Sequence, residues 1–212
     1  MKTFKLATTA LFALSSVVAF ANVDYDAHMA TDPFGQNSTA PVDYYMLTLS
    51  YSPSFCEHVR EKYGEIPENQ QYQCGPNSHF KWVVHGLWPQ NAHAEQIKDQ
   101  PRFCQGDLPP LPESVLEPYL QYSPGKALLQ GEWEKHGACA FRTPQDYFNM
   151  EKVLYKQLVL PNDKPNKRRL IAFLKEHNPQ LRDVFIKVNH SEISICYDKK
   201  WNPMSCENRQ YR

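Results

Sequence analysis

The order of the apolar patterns predicts an α+β class: a single domain with an antiparallel central sheet and packed helices. Three observations carry this. Strand-type alternation falls in two blocks, one early and one near the end of the 212 residues, while helical spacing fills the region between them. Helices therefore follow helices and do not alternate with strands in βαβ repeats. Finally, none of the eight glycines forms a G-x-G pair, which removes the dinucleotide-binding fingerprint and the P-loop with their parallel sheets.

The first segment, MKTFKLATTALFALSSVVAFA, is read as an export signal and not as fold. Lys2 and Lys5 give a short basic start, Leu6 to Val18 is mostly apolar, and Ala19-Phe20-Ala21 fits a small-x-small cleavage site after Ala21. Residues 22–41 are polar and end at Pro41, the pattern of a flexible N-terminal arm, and residues 42–212 form the domain. Asp43 to Tyr51 places Tyr45, Leu47, Leu49 and Tyr51 in alternation, a strand with one face in the core. Pro53 to His79 reads as loop, punctuated by Pro53, Pro67, Gly75 and Pro76. Phe80 to His85 is a strand whose near-continuous apolar character suits burial on both faces.

Residues 90–112 are a polar, proline-punctuated excursion. Helical spacing follows at Leu111–Tyr122, despite Pro118, and again over Lys126–His136. Thr143 as N-cap and Pro144 at the first helical position open a third helix that runs to about Leu158. Lys164–Arg169 reads as a basic, solvated linker, and Leu170–His177 as a fourth helix stopped before Pro179. Val184–Val188 and Glu192–Tyr197 then alternate around residues 189–191, which is a hairpin.

Charge and cysteine usage narrow the function. Twenty-three basic and 23 acidic residues cancel, which argues against a strongly basic nucleic-acid coat but leaves room for an enzyme that touches one phosphate at a time. After the signal no apolar run approaches the ~20 residues of a membrane helix, so no membrane partner is expected and a periplasmic or secreted protein is. A monomer is the expectation. The six cysteines, Cys56, Cys74, Cys104, Cys139, Cys196 and Cys206, are even in number and contain no C-x-x-C, so disulfides are read and not a metal or redox site. Nearest-neighbour pairing (Cys56–Cys74, Cys104–Cys139, Cys196–Cys206) is the default among many connectivities. No metal and no cofactor is implied. The sequons at Asn37 and Asn189 are read as bare.

Two segments concentrate groups that move protons beside aromatic rings. His85-Gly86-Leu87-Trp88-Pro89-Gln90 sits where a strand end delivers a side chain rigidly, and Gly86 permits a turn or a close approach. Trp88 offers a face on which a base can stack. Gly131-Glu132-Trp133-Glu134-Lys135-His136-Gly137-Ala138-Cys139 puts Glu132, Lys135 and His136 on one side of a helix that Gly137 could end in left-handed geometry. Taken singly these are ordinary residues: a solvated ion-paired face, two core tryptophans, two unremarked histidines. Nothing in periodicity brings His85 and His136 together.

As whole strings they resemble the two active-site segments of the ribonuclease T2 family, of which the first reads approximately F-T-I-H-G-L-W-P and the second H-E-W-x-K-H-G-T-C. Trp82 to Pro89 stands in the place of the first and Gly131 to Cys139 in that of the second, with Asp146-Tyr147-Phe148 similar to the family's D-Y-F. The resemblance implies an endoribonuclease of low base specificity that cleaves single-stranded RNA, and not DNA, without a metal. It implies His136 as general base for the ribose 2′-OH and His85 as general acid for the departing 5′-oxygen. Glu132 and Lys135 would lie beside the phosphate, and Trp88 and Gln90 would bind substrate. The pairing Cys104–Cys139 is also implied. Gly131 stands where many members carry histidine, which implies weaker phosphate binding, and Gln90 where some carry aspartate. An extracytoplasmic RNA-binding or toxin-like protein of the same fold, with secondary catalysis, is the alternative to which Gly131 points.

Overall fold

The computed structural model describes residues 29–189 and 191–206. The expected export signal and the first residues of the arm lie outside them. Alternation in β1 (Tyr44–Tyr51) organises the sheet: Leu47 and Leu49 turn to one side and are fully buried, while Thr48 and Ser50 turn to the other. β1 pairs with β2 (Trp82–Gln90) on one edge and with β4 (Glu192–Tyr197) on the other. β4 in turn carries β3 (Lys187–Val188) and β5 (Pro203–Met204), and every pairing is antiparallel, in the order β2-β1-β4-β3. The fold class is thus the expected one.

Six α-helices lie among the described residues: α1 (Ser52–Tyr63), α2 (Gln71–Cys74), α3 (Glu113–Leu116), α4 (Lys126–Lys135), α5 (Pro144–Lys156) and α6 (Lys167–His177). One core joins Leu47, Leu49, Val84, Leu87, Ile193 and Ile195 from the sheet to Leu129, Trp133, Tyr147, Phe148, Leu154, Leu170 and Leu174 from α4, α5 and α6. Each such aliphatic or aromatic side chain contributes about 1.5–3 kcal/mol on burial. None of the described helices is long and apolar enough to cross a membrane.

The structure corrects several element boundaries. Residues 53–79 are not all loop, because Ser52–Tyr63 is α1. Pro53 lies in its first turn, where a missing N–H costs nothing, and Gly64 closes it at φ 77° with its N–H on the Arg60 carbonyl. Ser52, Cys56 and Val59 are its buried stripe. The helix expected over 111–122 is only α3 and a following 3-10 turn, Glu117–Tyr119, since Pro118 cannot continue an α-helical ladder. α6 starts three residues earlier than expected, because the Asn166 side chain accepts from the Arg169 N–H and caps it. Of the strand expected over 184–188 only Lys187–Val188 pairs with β4, because Phe185 bonds instead to the segment at Ser205 and Cys206.

Three disulfides join nearest neighbours, Cys56–Cys74, Cys104–Cys139 and Cys196–Cys206, across Cα separations of 5.3, 4.9 and 5.1 Å. They fit an oxidising compartment, and each stabilises the fold by ~2–4 kcal/mol. The second ties the excursion after β2 to the chain just beyond α4. Residues 29–41, read as part of a flexible arm, are fastened to that same excursion. Asn37 and Arg102 exchange backbone hydrogen bonds of 2.9 and 3.1 Å, and the Met29 N–H donates to Asp107.

Candidate active site

The register of β2 creates the site. Thr48 pairs with Gly86 but Leu49 pairs with Val84, so His85 is an extra residue, a β-bulge. The bulge explains the core pattern too: Trp82, Val84 and Leu87 all join the core, which strict alternation would forbid. It also lets the strand run on to Gln90, past the expected end at His85. His85 projects on the polar side of the sheet, where Thr48, Ser50, Glu192 and Ser194 lie opposite one another. Its Nδ1 is 2.7 Å from Glu192 Oε1, and its Nε2 is 3.6 Å from Glu132 Oε1.

Glu132 comes from α4, which packs against β2. Its buried carboxylate accepts from the Trp88 indole N–H at 2.6 Å. Gly86 makes that approach possible: a Cβ there would sit 1.9 Å from Glu132 Oε2 and 2.6 Å from Trp88 Nε1. The requirement is the close approach and not a turn, since the strand continues through Gly86.

His136 follows the last residue of α4, and its N–H still donates to the Glu132 carbonyl at 3.0 Å. The ring is buried, with its centroid 5.5 Å from that of Trp88, and Trp88 also meets His85 edge-on at 5.2 Å. Trp88 thus stands between the two histidines. Gly137 does not end α4 in left-handed geometry, because it is not among the glycines of positive φ. It is needed for packing: a Cβ there would meet the Trp133 ring at 2.7 Å and the Tyr147 ring at 2.8 Å.

Lys135 turns to another partner. Its ammonium lies 2.7 Å from Asp32 Oδ2, while the other oxygen of Asp32 takes the Arg102 guanidinium at 2.6 Å. Next to Arg102, Phe103 adopts φ 45°, rare for a residue with a Cβ, and its N–H caps the Lys135 carbonyl at 3.0 Å. Lys135 Nζ stands 5.8 Å from the centre of the Phe103 ring.

Electrostatics separate the two imidazoles. Burial works against a proton on His85, but the Glu192 hydrogen bond and the charges of Glu132 and Glu192 outweigh it, so its pKa is raised. Burial also dominates at His136, and there Arg102, Lys135 and His85 add to it, so its pKa lies well below the usual value. Burial raises the pKa of Glu132 against the opposing pull of His85, Trp88 and Lys135. Glu192 is lowered: burial opposes this, but the bonds from His85, Asn189 and Ser50 prevail. One group that favours its proton and one that refuses it share a site that can hand a proton in and take one out.

A cavity of about 670 Å³ opens beside His85, lined by Ser50, Phe55, Tyr72, Gln73 and Leu128 among others. The exposed rings of Phe55 and Tyr72 beside this concavity suit a flat heterocycle.

The sequence profile of the Ribonuclease T2 family matches residues 42–178, which contain every group described above except Asp32, Asn189, Glu192 and Ser194. The chain belongs to the ribonuclease T2 family.

Its relatives agree. A probable ribonuclease of Haemophilus influenzae is 56% identical over 191 residues, covering 90% of this chain and 70% of that protein. A ribonuclease of Aeromonas hydrophila is 31% identical over 112 residues, or 53% of this chain and 44% of that protein. Among solved structures, the S-like ribonuclease trichomaglin aligns with TM-score 0.57 at 20% identity, over 79% of this chain and 92% of its own. RNase NT in complex with 5′-AMP aligns with TM-score 0.55 at 17% identity, over 81% and 94%. Those two likenesses establish the fold.

Within this ribonuclease T2 fold, the structure brings His85, Trp88, Glu132 and His136 together and sets Lys135 at their edge. Gln90 does not join them, which corrects its reading as a base contact. It is 5% exposed, its amide donates to the Pro89 carbonyl, and the Gln100 side chain on the Asn91 N–H closes the chain beside it. A covered amide cannot read a base. Sequence reasoning missed Glu192, Asp32 and Arg102. Glu192 carried one usable signal, as the acid opening the alternation Glu192-Ser194 against Ile193-Ile195. Asp32 and Arg102 carried none.

Proposed function

We propose that this protein cleaves single-stranded RNA by transphosphorylation, with low base specificity, as an exported monomer in the periplasm or outside the cell. The neutral His136 accepts the ribose 2′-OH proton as that oxygen bonds to phosphorus. The bond from phosphorus to the 5′-oxygen breaks, and the His85 imidazolium gives that oxygen its proton. The product is a 2′,3′-cyclic phosphate, and His85, now neutral, can activate water for its slower hydrolysis to the 3′-phosphate. Each proton transfer is worth ~10²–10⁴ in rate. The nucleophile is built into the substrate, so proximity costs the enzyme little, and DNA lacks it. Lys135 supplies positive charge to the phosphate as its own charge grows. Glu132 holds Trp88 and faces the acid ring, and when it carries a proton it can donate to a phosphate oxygen. This chemistry calls on no metal and no cofactor.

The observation that carries the reading is the opposite bias of two histidines set on either side of Trp88. The test incubates purified protein with single-stranded RNA and with matched DNA in excess EDTA, and reads product ends by mass spectrometry. The expected result is cleavage of RNA alone, leaving 2′,3′-cyclic phosphates. Cleavage of DNA, abolition by EDTA, or RNA products with 5′-phosphate ends would overturn it.

A further inference from the structure

A bulge residue has no cross-strand partner to hold it, yet a general acid must keep its ring fixed and its proton on the correct nitrogen. We propose that Glu192 is the positioning residue of His85. It would hold the Nδ1–H and so present Nε2–H to the departing oxygen. The inference rests on the acid role proposed for His85.

Glu192 opens β4 and lies opposite Ser50, one strand away from β2. Its Oε1 takes His85 Nδ1 at 2.7 Å and the Ser50 hydroxyl at 3.2 Å, while its Oε2 takes the Asn189 amide at 3.0 Å. The Glu192 N–H in turn donates to Asn189 Oδ1 at 2.8 Å. The carboxylate is therefore held by groups from two other segments before it touches the imidazole. An acceptor fixed on Nδ1 selects the tautomer with its proton there, and leaves Nε2 facing Glu132 at 3.6 Å, on the side of Trp88 and His136. Side-chain exposures of 33% for His85 and 22% for Glu192 leave the pair reachable from the cavity but shielded enough for the bond to count. The charged groups that face His85 are Glu192 from β4, and Glu132 and Lys135 from α4, with His136 just beyond. Glu192 is the one that bonds Nδ1.

The test compares native protein, Glu192→Gln and His85→Ala on two substrates. One is RNA, whose leaving alkoxide needs a proton. The other is a nucleoside 3′-(4-nitrophenyl phosphate), whose leaving group does not. Glu192→Gln is expected to lower kcat on RNA by roughly 10–100-fold, part of the ~10²–10⁴ that a positioned general acid contributes. It should leave the nitrophenyl ester within about threefold and move the alkaline limb of the pH profile to lower pH, because a carboxylate no longer sustains the imidazolium. Equal loss on both substrates, or an unmoved alkaline limb, would make Glu192 merely structural and overturn the proposal. Should His85→Ala keep its activity on RNA, the acid role itself falls. Loss in His85→Ala without loss in Glu192→Gln removes only the inference about Glu192. A second reading needs no variant: ¹⁵N shifts of His85 in native protein above its pKa are expected to show the proton on Nδ1. Finding it on Nε2 would overturn the assignment.

Discussion

The two histidines of the site are the same residue in two opposite settings. His85 sits on a strand bulge with carboxylates at both ring nitrogens, 2.7 Å and 3.6 Å away. His136 sits just past a helix, buried, with its Nδ1 unpartnered among the described residues and cations as the nearest influence after burial itself. A sheet residue, Glu192, and a helix residue, Glu132, thus supply acids to one ring, while Lys135 at the helix end and Arg102 in the covering excursion set cations near the other. What biases the two rings in opposite directions is the charge of their neighbours, carboxylates around the bulge and cations beyond the helix end.

The strongest attempt to break this comparison is to remove each ring in turn. His85→Ala and His136→Ala should each lose ~10²–10⁴ in kcat on RNA, while circular dichroism and melting show a folded protein. A folded variant of either kind that keeps most of its activity would remove that ring from the mechanism. Gly86→Ala ranks next. It adds no charge and removes no catalytic atom, but its Cβ would overlap the Glu132 carboxylate. Displacing Glu132 by about 1 Å should cost roughly 10²-fold in kcat, and forced overpacking about 1–3 kcal/mol of stability. Native activity in Gly86→Ala would mean that Glu132 need not sit where it does.

How much of this was legible beforehand follows from what each signal measures. Alternation in Tyr45-Leu47-Leu49-Tyr51 and Ile193-Ile195 reports a buried sheet face, and it located β1 and β4 closely. The same alternation breaks at His85, between Val84 and Leu87, and a strand that continues was therefore ended five residues too soon. The broken period was itself the sign of a bulge. Pro53 was read as punctuation although it serves equally well in a first helical turn, so α1 was missed. His85, Glu132 and His136 were found through the likeness of whole strings. Glu192 and the Asp32–Arg102 pair depend on contacts across 107 and 70 residues, which no local pattern reports. Gln90 lies buried at the end of β2, and its place after the motif's proline did not report that burial.

The pH profile sharpens the comparison further, with an effect measured in pH units. The base must be neutral and the acid protonated, so the acidic limb of kcat/KM belongs to His136 and the alkaline limb to His85. Since the first is depressed and the second raised, the acidic limb should fall below pH ~6.5 and the alkaline limb above it, giving a broad plateau. Titration of the two rings by NMR checks the assignment directly, and reversal of their order would overturn it.

The smallest expected effect tests whether the cations really set His136. Asp32 takes both Lys135 and Arg102, and although burial pushes its carboxyl up, those bonds and the Phe34 N–H hold its pKa down to about 2. A carboxyl depressed on folding stabilises the protein above its unfolded value near 3.8, and that contribution disappears as pH falls through about 2. Asp32→Asn should therefore lose about 1–2 kcal/mol at neutral pH and flatten the acid side of the stability curve between those values, as read by thermal melts. It also removes a negative charge that raises the His136 pKa against the pull of Arg102 and Lys135. The acidic limb of activity should then move to lower pH while the alkaline limb, governed by Glu192 and Glu132, stays in place. Movement of both limbs together would mean that the two histidines respond to one shared field and not to separate sets of neighbours.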